Sequence, residues 1–218
     1  MTPLPFAMPS TVIVADGTFP SHPLPLQALA GASFICCCDG ALPSLLDYGI
    51  IPHAICGDGD SLTPQHKRQF ASLLHVEGEQ VDNDLTKATR YCISQGHHRL
   101  AYIGATGLRE DHTLGNISLM AQYVMEFGIE PIMLTDYGYF TAIMGQATLP
   151  TSPRQQVSIF NFGCQRLESE GLRWPTYPFS LWWQGTLNEA LSDHITLHAI
   201  GGVCVVFLTY EVKTDGRH

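Results

Sequence analysis

Basic residues are scarce in this sequence: eleven Lys and Arg stand against twenty Asp and Glu, for a formal charge of −9. No Lys/Arg cluster occurs, so the electrostatic footprint of a nucleic-acid binder is missing. A small nucleotide carrying its own Mg²⁺ is still compatible with such acidity, provided a few local cations and backbone amides point inward. Long apolar runs are also lacking, and Met1–Ser10 contains no Lys or Arg, so neither a membrane span nor a secretory leader is expected. The seven cysteines form no Cys-x-x-Cys pair, which gives a zinc site or thioredoxin-like motif little support. Cys36-Cys37-Cys38 sit side by side in an apolar run and read as packed, reduced thiols of a cytoplasmic protein.

Several ligand signatures are absent as well. No Gly-x-x-x-x-Gly-Lys-Ser/Thr occurs, and Gly57-x-Gly59-x-x-Leu62 lacks the third glycine of a dinucleotide fingerprint. A calcium loop starting at Asp58 would need oxygen ligands at Leu62 and a glutamate where Gln69 stands. Any nucleotide binding must therefore use another arrangement.

What is present is a chain of 218 residues, 45% hydrophobic, enough for a sizeable core. From Thr11 to about Asp136, β-rich runs (Thr11–Ala15, Phe34–Cys38, Ala54–Cys56, Leu100–Ile103, Pro131–Leu134) alternate with helical segments (Leu42–Tyr48, Pro64–Leu74, Asp84–Ser94, Thr113–Phe127). That alternation predicts a mainly parallel sheet with helices on its faces. Thr63 before Pro64 is an N-cap with proline at the first helical position. Beyond Tyr137, Val157–Phe162, Ser180–Trp183, His194–Ile200 and Val203–Tyr210 read as strands of an antiparallel, sandwich-like β domain. The boundary falls between Asp136 and Pro153, and we set the domains at 1–138 and 139–218. Gly145–Arg154 reads as a linker, and Lys213–His218 as a frayed tail.

Three polar loops carry the chemistry. Gly57-Asp58-Gly59-Asp60-Ser61 follows a buried strand, at the edge where open parallel sheets bind ligands. Mg²⁺ needs hard oxygen ligands and few carboxylates, which Asp58 and Asp60 supply; Asp, Gly and Ser also favour turns and caps for backbone reasons alone. In the second loop, Gln80-Val81-Asp82-Asn83-Asp84-Leu85-Thr86-Lys87, carboxylates precede a helix start whose dipole favours anions. Asp82 or Asn83 serves there as the cap, and we assign that role to Asp82. The third, Gly104-Ala105-Thr106-Gly107-Leu108-Arg109-Glu110-Asp111-His112, offers glycine amides for an oxyanion and Arg109 for phosphate charge. Asp111 suits a hydroxyl or a second metal, and His112 reads either as an acid–base group or as a packing residue.

Together these stretches resemble the thiamine pyrophosphokinase family. Gly57–Ser61 is similar to its Gly-Asp-x-Asp-Ser element, Asp84–Ala88 to its acidic helix start, and Arg109–Asn116 to its Arg-x-Asp-His element, with Asp39-Gly40-Ala41 a fourth match. Downstream, Gly171-Leu172-Arg173-Trp174 and Gly185-Thr186-Leu187-Asn188-Glu189 also resemble the family. The resemblance implies an α/β catalytic domain, a β-sandwich for thiamine, and a homodimer with thiamine between one subunit's first domain and its partner's second. It implies diphosphate transfer from ATP to the hydroxyl of thiamine, giving thiamine diphosphate and AMP. On this reading Asp58, Asp60 and Asp84 hold Mg²⁺. Asp39, Gly40, Gln80, Lys87, Gly107 and Arg109 meet the nucleotide, while Asp111, Asn116, Trp174 and Asn188 meet the acceptor. A thiazolium over the Trp174 indole would gain about 0.5–2 kcal/mol. Trp182 and Trp183 compete with it, although neighbours on a strand face opposite ways, which expects at least one to be buried. Departures at Gly59, Asn83, Leu108 and Leu187 leave the metal carboxylates in place and bear on loop shape. Two other readings share these residues: a metal-dependent phosphohydrolase with water as acceptor, and a non-catalytic nucleotide- or thiamine-binding module.

Overall fold

A computed structural model describes residues 7–78 and 81–212. Gln80 and the tail from Lys213 lie outside the described residues. The chain divides into two compact units: Met8–Leu119 with Met133–Asp136, and Met120–Ile132 with the chain from Tyr137 onward.

In the first unit the elements run β1 (Thr11–Val14), α1 (Pro23–Ala30), β2 (Phe34–Cys38), α2 (Leu42–Asp47), β3 (Ala54–Gly57), α3 (Pro64–Gln69), β4 (Leu74–Val76), α4 (Asp84–Ser94), β5 (Arg99–Ile103) and the greater part of α5 (Glu110–Gln122). The strands are parallel in the order β5-β1-β2-β3-β4. All four residues of β1 are buried, as a strand covered on both faces requires. Cys36, Cys37 and Cys38 pack as expected, and burial pushes the Cys37 and Cys38 thiols up, so both stay protonated. Helix α4 buries Leu85, Ala88, Thr89 and Cys92, the spacing of one helical face. The Thr89 hydroxyl donates to the Leu85 carbonyl oxygen (2.7 Å) and lies 3.0 Å from the Tyr102 hydroxyl, so neither buried oxygen is orphaned.

Thr63 caps α3 as expected, its Oγ1 accepting from the His66 N–H at 3.1 Å. That helix is shorter than Pro64–Leu74. It exposes every side chain but half-buried His66 and ends at Gln69, where Phe70 plugs into the core and the chain turns through Ala71–Leu73 into β4. Helix α5 begins at Glu110 rather than Thr113 and ends in a wider turn, Tyr123–Phe127, stopped by Gly128 in the left-handed region (φ 62°).

The strand β6 (Glu130–Leu134) carries the chain across the division, Glu130–Ile132 lying in the second unit and Met133–Leu134 in the first. The second unit is β-rich: β7 (Gly138–Pro150), β8 (Gln155–Phe162), β9 (Arg166–Glu170), β10 (Asn188–Glu189) and β11 (His194–Val212). The segments His194–Ile200 and Val203–Tyr210 are one long strand, antiparallel to β7 over most of its length. Along its other edge β11 pairs first with β9 and then, past Gly201-Gly202, with β8. One strand thereby serves two sets of neighbours, the device by which sandwiches turn corners.

Two expectations fail here. Gly145–Pro150 belongs to β7 and is no linker. Ser180–Trp183 is not a strand: the Gln184 side-chain oxygen accepts from the N–H groups of Ser180 (3.1 Å) and Leu181 (2.9 Å), closing a 3₁₀ turn over Trp182–Gly185. Those donors are lost to any partner strand, so the alternation expected of the tryptophans does not apply. Trp182 and Trp183 are 40% and 70% exposed, with Trp182 against Phe160 and Phe162.

Candidate active site at the carboxyl edge of the parallel sheet

Strand order turns around at β1: β2, β3 and β4 build outward on one side and β5 lies on the other. Ligands of open parallel sheets bind at that switch, outside the carboxyl ends. A cavity of about 700 Å³ opens there. The ends of β1 and β2 contribute Asp16, Asp39 and Gly40; the following loops and helix starts contribute Asp58, Asp84, Lys87, Arg109 and Asn116. Seven of these eight residues were singled out from the sequence, and they meet in one place. Asp60, Gly107 and Asp111 do not line the cavity.

Asp39 is the most enclosed carboxylate, 2% exposed. Its oxygens accept from the N–H groups of Gly40 (2.7 Å) and Gly59 (2.8 Å). Burial, then repulsion from Asp84, pushes its carboxyl up; the two N–H bonds oppose this and Asp58 adds to it. The carboxylate leaves no room beside it: a Cβ on Gly57 would lie 2.6 Å from the Asp39 Cγ. In the same loop the backbone N–H of Asp60 donates to Asp58 Oδ1 at 2.9 Å. Lys87, 3% exposed, reaches Asp84 Oδ1 at 3.2 Å.

The cap of α4 is Asn83, not Asp82. Asn83 Oδ1 accepts from the Thr86 N–H at 3.0 Å, whereas Asp82 pairs with Arg90 and lines the cavity. Arg90, a turn and a half along the helix, draws Asp82 off the capping position. Asn83 also donates to Asn116 Oδ1 (3.2 Å), and Asn116 Nδ2 donates to the Ala105 carbonyl oxygen (2.8 Å), tying two of the loops together.

Arg109 donates to both oxygens of Asp111, Nε at 3.1 Å and Nη2 at 2.5 Å. Both side chains are exposed, and the guanidinium holds the Asp111 carboxyl below the usual carboxylate range. Asp111 thus stays ionised and pairs with Arg109 at the surface. His112 lines the cavity and its backbone N–H donates to Asp111 Oδ1 at 2.9 Å. The Gly107 N–H donates to Thr113 Oγ1 (3.3 Å), so its contribution is to the shape of the loop.

Sequence reasoning missed Asp16, whose carboxyl burial pushes up. The signal was there: Ala15-Asp16-Gly17 after β1 repeats the form of Cys38-Asp39-Gly40 at the end of β2. Asp16 lies against Gly40, where an added Cβ would meet Asp16 Oδ2 at 2.5 Å.

Among the described residues, no three His, Cys, Asp or Glu side chains converge closely enough to hold a metal by themselves. The donor chemistry nevertheless fits Mg²⁺, which takes few protein carboxylates and fills its shell with water and phosphate. Hard oxygens from Asp39, Asp58 and Asp84 carry excess negative charge that a divalent ion would relieve.

The β-rich unit holds a second pocket, about 360 Å³, lined by Trp174, Tyr177, Phe179, Gln184, Leu187 and Asn188 among others. Trp174 and Asn188 thus share one pocket. Leu187 has a φ of 61°, a left-handed conformation that a branched side chain adopts only where its surroundings enforce it. The cation lying on the Trp174 ring is the Arg173 guanidinium, 5.1 Å from the ring centroid.

Two family models match. Residues 26–132 match the one described as "Thiamin pyrophosphokinase, catalytic domain" and residues 138–207 its "substrate-binding domain". The chain belongs to the thiamin pyrophosphokinase family. The catalytic-domain match takes in every cavity residue named above except Asp16, and the substrate-binding match takes in the aromatic pocket. A thiamine pyrophosphokinase of Bacillus subtilis is 40% identical over 86 residues, 38% of this chain and 40% of that protein. Thiamin pyrophosphokinase 1 of Caenorhabditis elegans is 30% identical over 95 residues, 39% of each. These matches span about two fifths of either relative. The fold is similar over far more of the chain: the Bacillus subtilis crystal structure superposes with a TM-score of 0.73 at 23% identity, covering 93% of this chain and 99% of that one. The thiamin pyrophosphokinase of Candida albicans gives 0.74 at 15% identity, covering 92% and 89%.

Proposed function

We propose that this chain transfers diphosphate from ATP to the hydroxyl of thiamine, giving thiamine diphosphate and AMP. The observation that carries the reading is the meeting of Asp39, Asp58, Asp84, Lys87 and Arg109 in one cavity at the switch point of the parallel sheet, inside the family's catalytic-domain match. In the reaction a bond forms between the hydroxyl oxygen and the β-phosphorus. The bond from that phosphorus to the α-phosphate oxygen breaks, and the hydroxyl proton is released. Catalysis of this kind rests on positioning and charge neutralisation.

Asp58, Asp60 and Asp84 would hold Mg²⁺, which when bound supplies charge neutralisation on the polyphosphate. Lys87 and Arg109 would bring positive charge to the same oxygens, and on this reading Gly40, Gly107 and Gln80 are further nucleotide contacts. Asp111 fixes the guanidinium of Arg109, while Asn116 holds the loops at the acceptor's end. Trp174 and Asn188 take the rings of thiamine. The reading carries a homodimer, testable by light scattering, and a cytoplasmic setting, in keeping with seven cysteines that are all buried free thiols.

The test is product identity. Incubation with ATP, Mg²⁺ and thiamine is expected to release AMP and thiamine diphosphate in equal amounts. ADP with thiamine monophosphate, or nucleotide hydrolysis that ignores thiamine, would contradict the assignment; tight binding of both ligands with no turnover would indicate a binding module.

A further inference from the structure

Two stretches that meet at the aromatic pocket pair with each other residue by residue. Leu172 bridges Ala190 in antiparallel register. The Arg173 N–H donates to the Glu189 carbonyl oxygen at 2.9 Å. Trp174 and Asn188 exchange two hydrogen bonds: the Trp174 N–H donates to Asn188 Oδ1 (3.2 Å), and Asn188 Nδ2 donates to the Trp174 carbonyl oxygen (2.8 Å). The backbone carrying the indole is therefore held on both sides.

The ring is held as well. Arg173 lies over the Trp174 ring, and its Nη1 is 3.4 Å from Glu189 Oε1. The Glu189 side chain is only 13% exposed, so it forms a firm anchor for the 56% exposed arginine. Trp174 lines the pocket while Arg173 does not. The guanidinium thus covers one face of the indole without itself lining the pocket. Trp174 is half exposed and sits outside any helix or strand, where an unsupported side chain samples several rotamers.

We propose that Arg173 and Glu189 are positioning residues: they hold Trp174 as a fixed wall on which an aromatic ring of the acceptor stacks. Neither touches the acceptor; both act through the indole, by cation–π contact and ion pairing. The identity of that ring as part of thiamine rests on the functional reading above, whereas the clamp itself does not.

Two measurements on the full-length protein decide the matter. In ligand-free protein labelled with 5-fluorotryptophan, Arg173→Ala is expected to shift and broaden the ¹⁹F resonance of Trp174, assigned through Trp174→Phe, while those of Trp182 and Trp183 stay put. In steady-state kinetics Arg173→Ala is expected to raise the KM for thiamine about 3- to 10-fold. The kcat and the KM for ATP stay within about twofold, the mark of lost binding rather than lost chemistry. Arg173→Lys, which keeps the cation, restores most of the thiamine KM, and Glu189→Gln reproduces part of the loss. A Trp174 resonance that does not move in Arg173→Ala overturns the clamp, as does an unchanged thiamine KM or a parallel rise in the KM for ATP. Wild-type protein that turns over no thiamine would sink the functional reading, and the fluorine resonance would still decide whether the clamp exists.

Discussion

Magnesium is expected to raise the melting temperature of the nucleotide-free protein, and the cavity explains why. Asp39 is buried and repelled by Asp84 and Asp58, with only two backbone N–H groups to offset its charge. A divalent ion among these oxygens removes that repulsion in the folded state alone. At a concentration ten times its Kd, an ion that binds only the native protein adds about 1.4 kcal/mol. For a chain of this length that corresponds to a rise of about 3–6 °C. The assay is thermal unfolding followed by fluorescence, first in EDTA and then across a magnesium titration. Asp58→Asn is the informative variant, because asparagine retains the Oδ1 acceptor that the Asp60 N–H uses at 2.9 Å. It is expected to unfold in EDTA at or above the wild-type temperature, one like charge having been removed, and to lose most of the magnesium response. Asp47→Asn, at the exposed end of α2, should respond as wild type does. An equal magnesium shift in wild type and Asp58→Asn would refute the placement of the ion.

Three further expectations concern other parts of the first unit. Arg109→Lys should lower kcat about 10²–10³-fold, the usual cost of removing a donor to transition-state charge, with unfolding unchanged because Arg109 and Asp111 are both exposed; a full-rate lysine variant would show that the guanidinium does not face the phosphate. Gly57→Ala drives a methyl group into Asp39 and should destabilise by about 1–3 kcal/mol while reducing turnover, and calorimetry that finds the wild-type transition would show that the loop yields without cost. For acid stability the group to watch is Asp136. Its oxygens accept from the Ser21 N–H (2.9 Å), the Ser21 hydroxyl (2.5 Å) and the His22 N–H (3.0 Å), which anchors the entry to α1. Burial alone would push the Asp136 carboxyl up, but these bonds outweigh it and hold it below the ordinary range. A depressed folded pKa contributes stability that is present above the unfolded pKa and is lost as the pH falls through the folded value. Asp136→Asn should therefore flatten the acid side of the stability–pH curve, and parallel curves for the two proteins would exclude the anchor.

How far the sequence disclosed this arrangement depends on which force dominates at each position. The inner parallel strands were readable because strands buried on both faces must be nearly continuous apolar runs, as Thr11–Val14 and Phe34–Cys38 are, whereas the edge strand β4 buries none of its three residues fully and went unread. Helix α1 went unread: Pro23 and Pro25 break the propensity signal, and the cap is a histidine, His22 Nδ1 accepting from the Leu24 N–H at 3.2 Å. The outer half of β7 carries no strand signal in the sequence, because Met144–Pro150 buries no side chain fully and so shows no apolar alternation. Tertiary pairing with β11 makes it a strand. At the site, Asp39, Asp58 and Asp84 were legible as carboxylates that follow strands or open helices. Asp16 passed for a turn residue, since an Asp-Gly pair after a strand suits any turn, and only its likeness to Asp39-Gly40, itself marked by the family resemblance, sets it apart. The grip of Arg109 on Asp111 and of Arg90 on Asp82 depends on rotamers and on where α5 and α4 begin, which spacing alone does not set.

The long strand β11 also has a consequence for the order in which this protein takes shape. It comes after all of its partners in the chain, yet β7, β8 and β9 all pair with it. At a synthesis rate of about 5–20 residues per second, β7 waits roughly 3–12 s on the ribosome before the strand that completes it has been made. During that interval its backbone edge is an open template for wrong partners. The parallel sheet depends on no such late arrival, since β1 to β5 are all complete by Ile103. Newly made chains should therefore carry a formed first unit while the β unit is unfinished, and the β unit is where a chaperone would have most to protect.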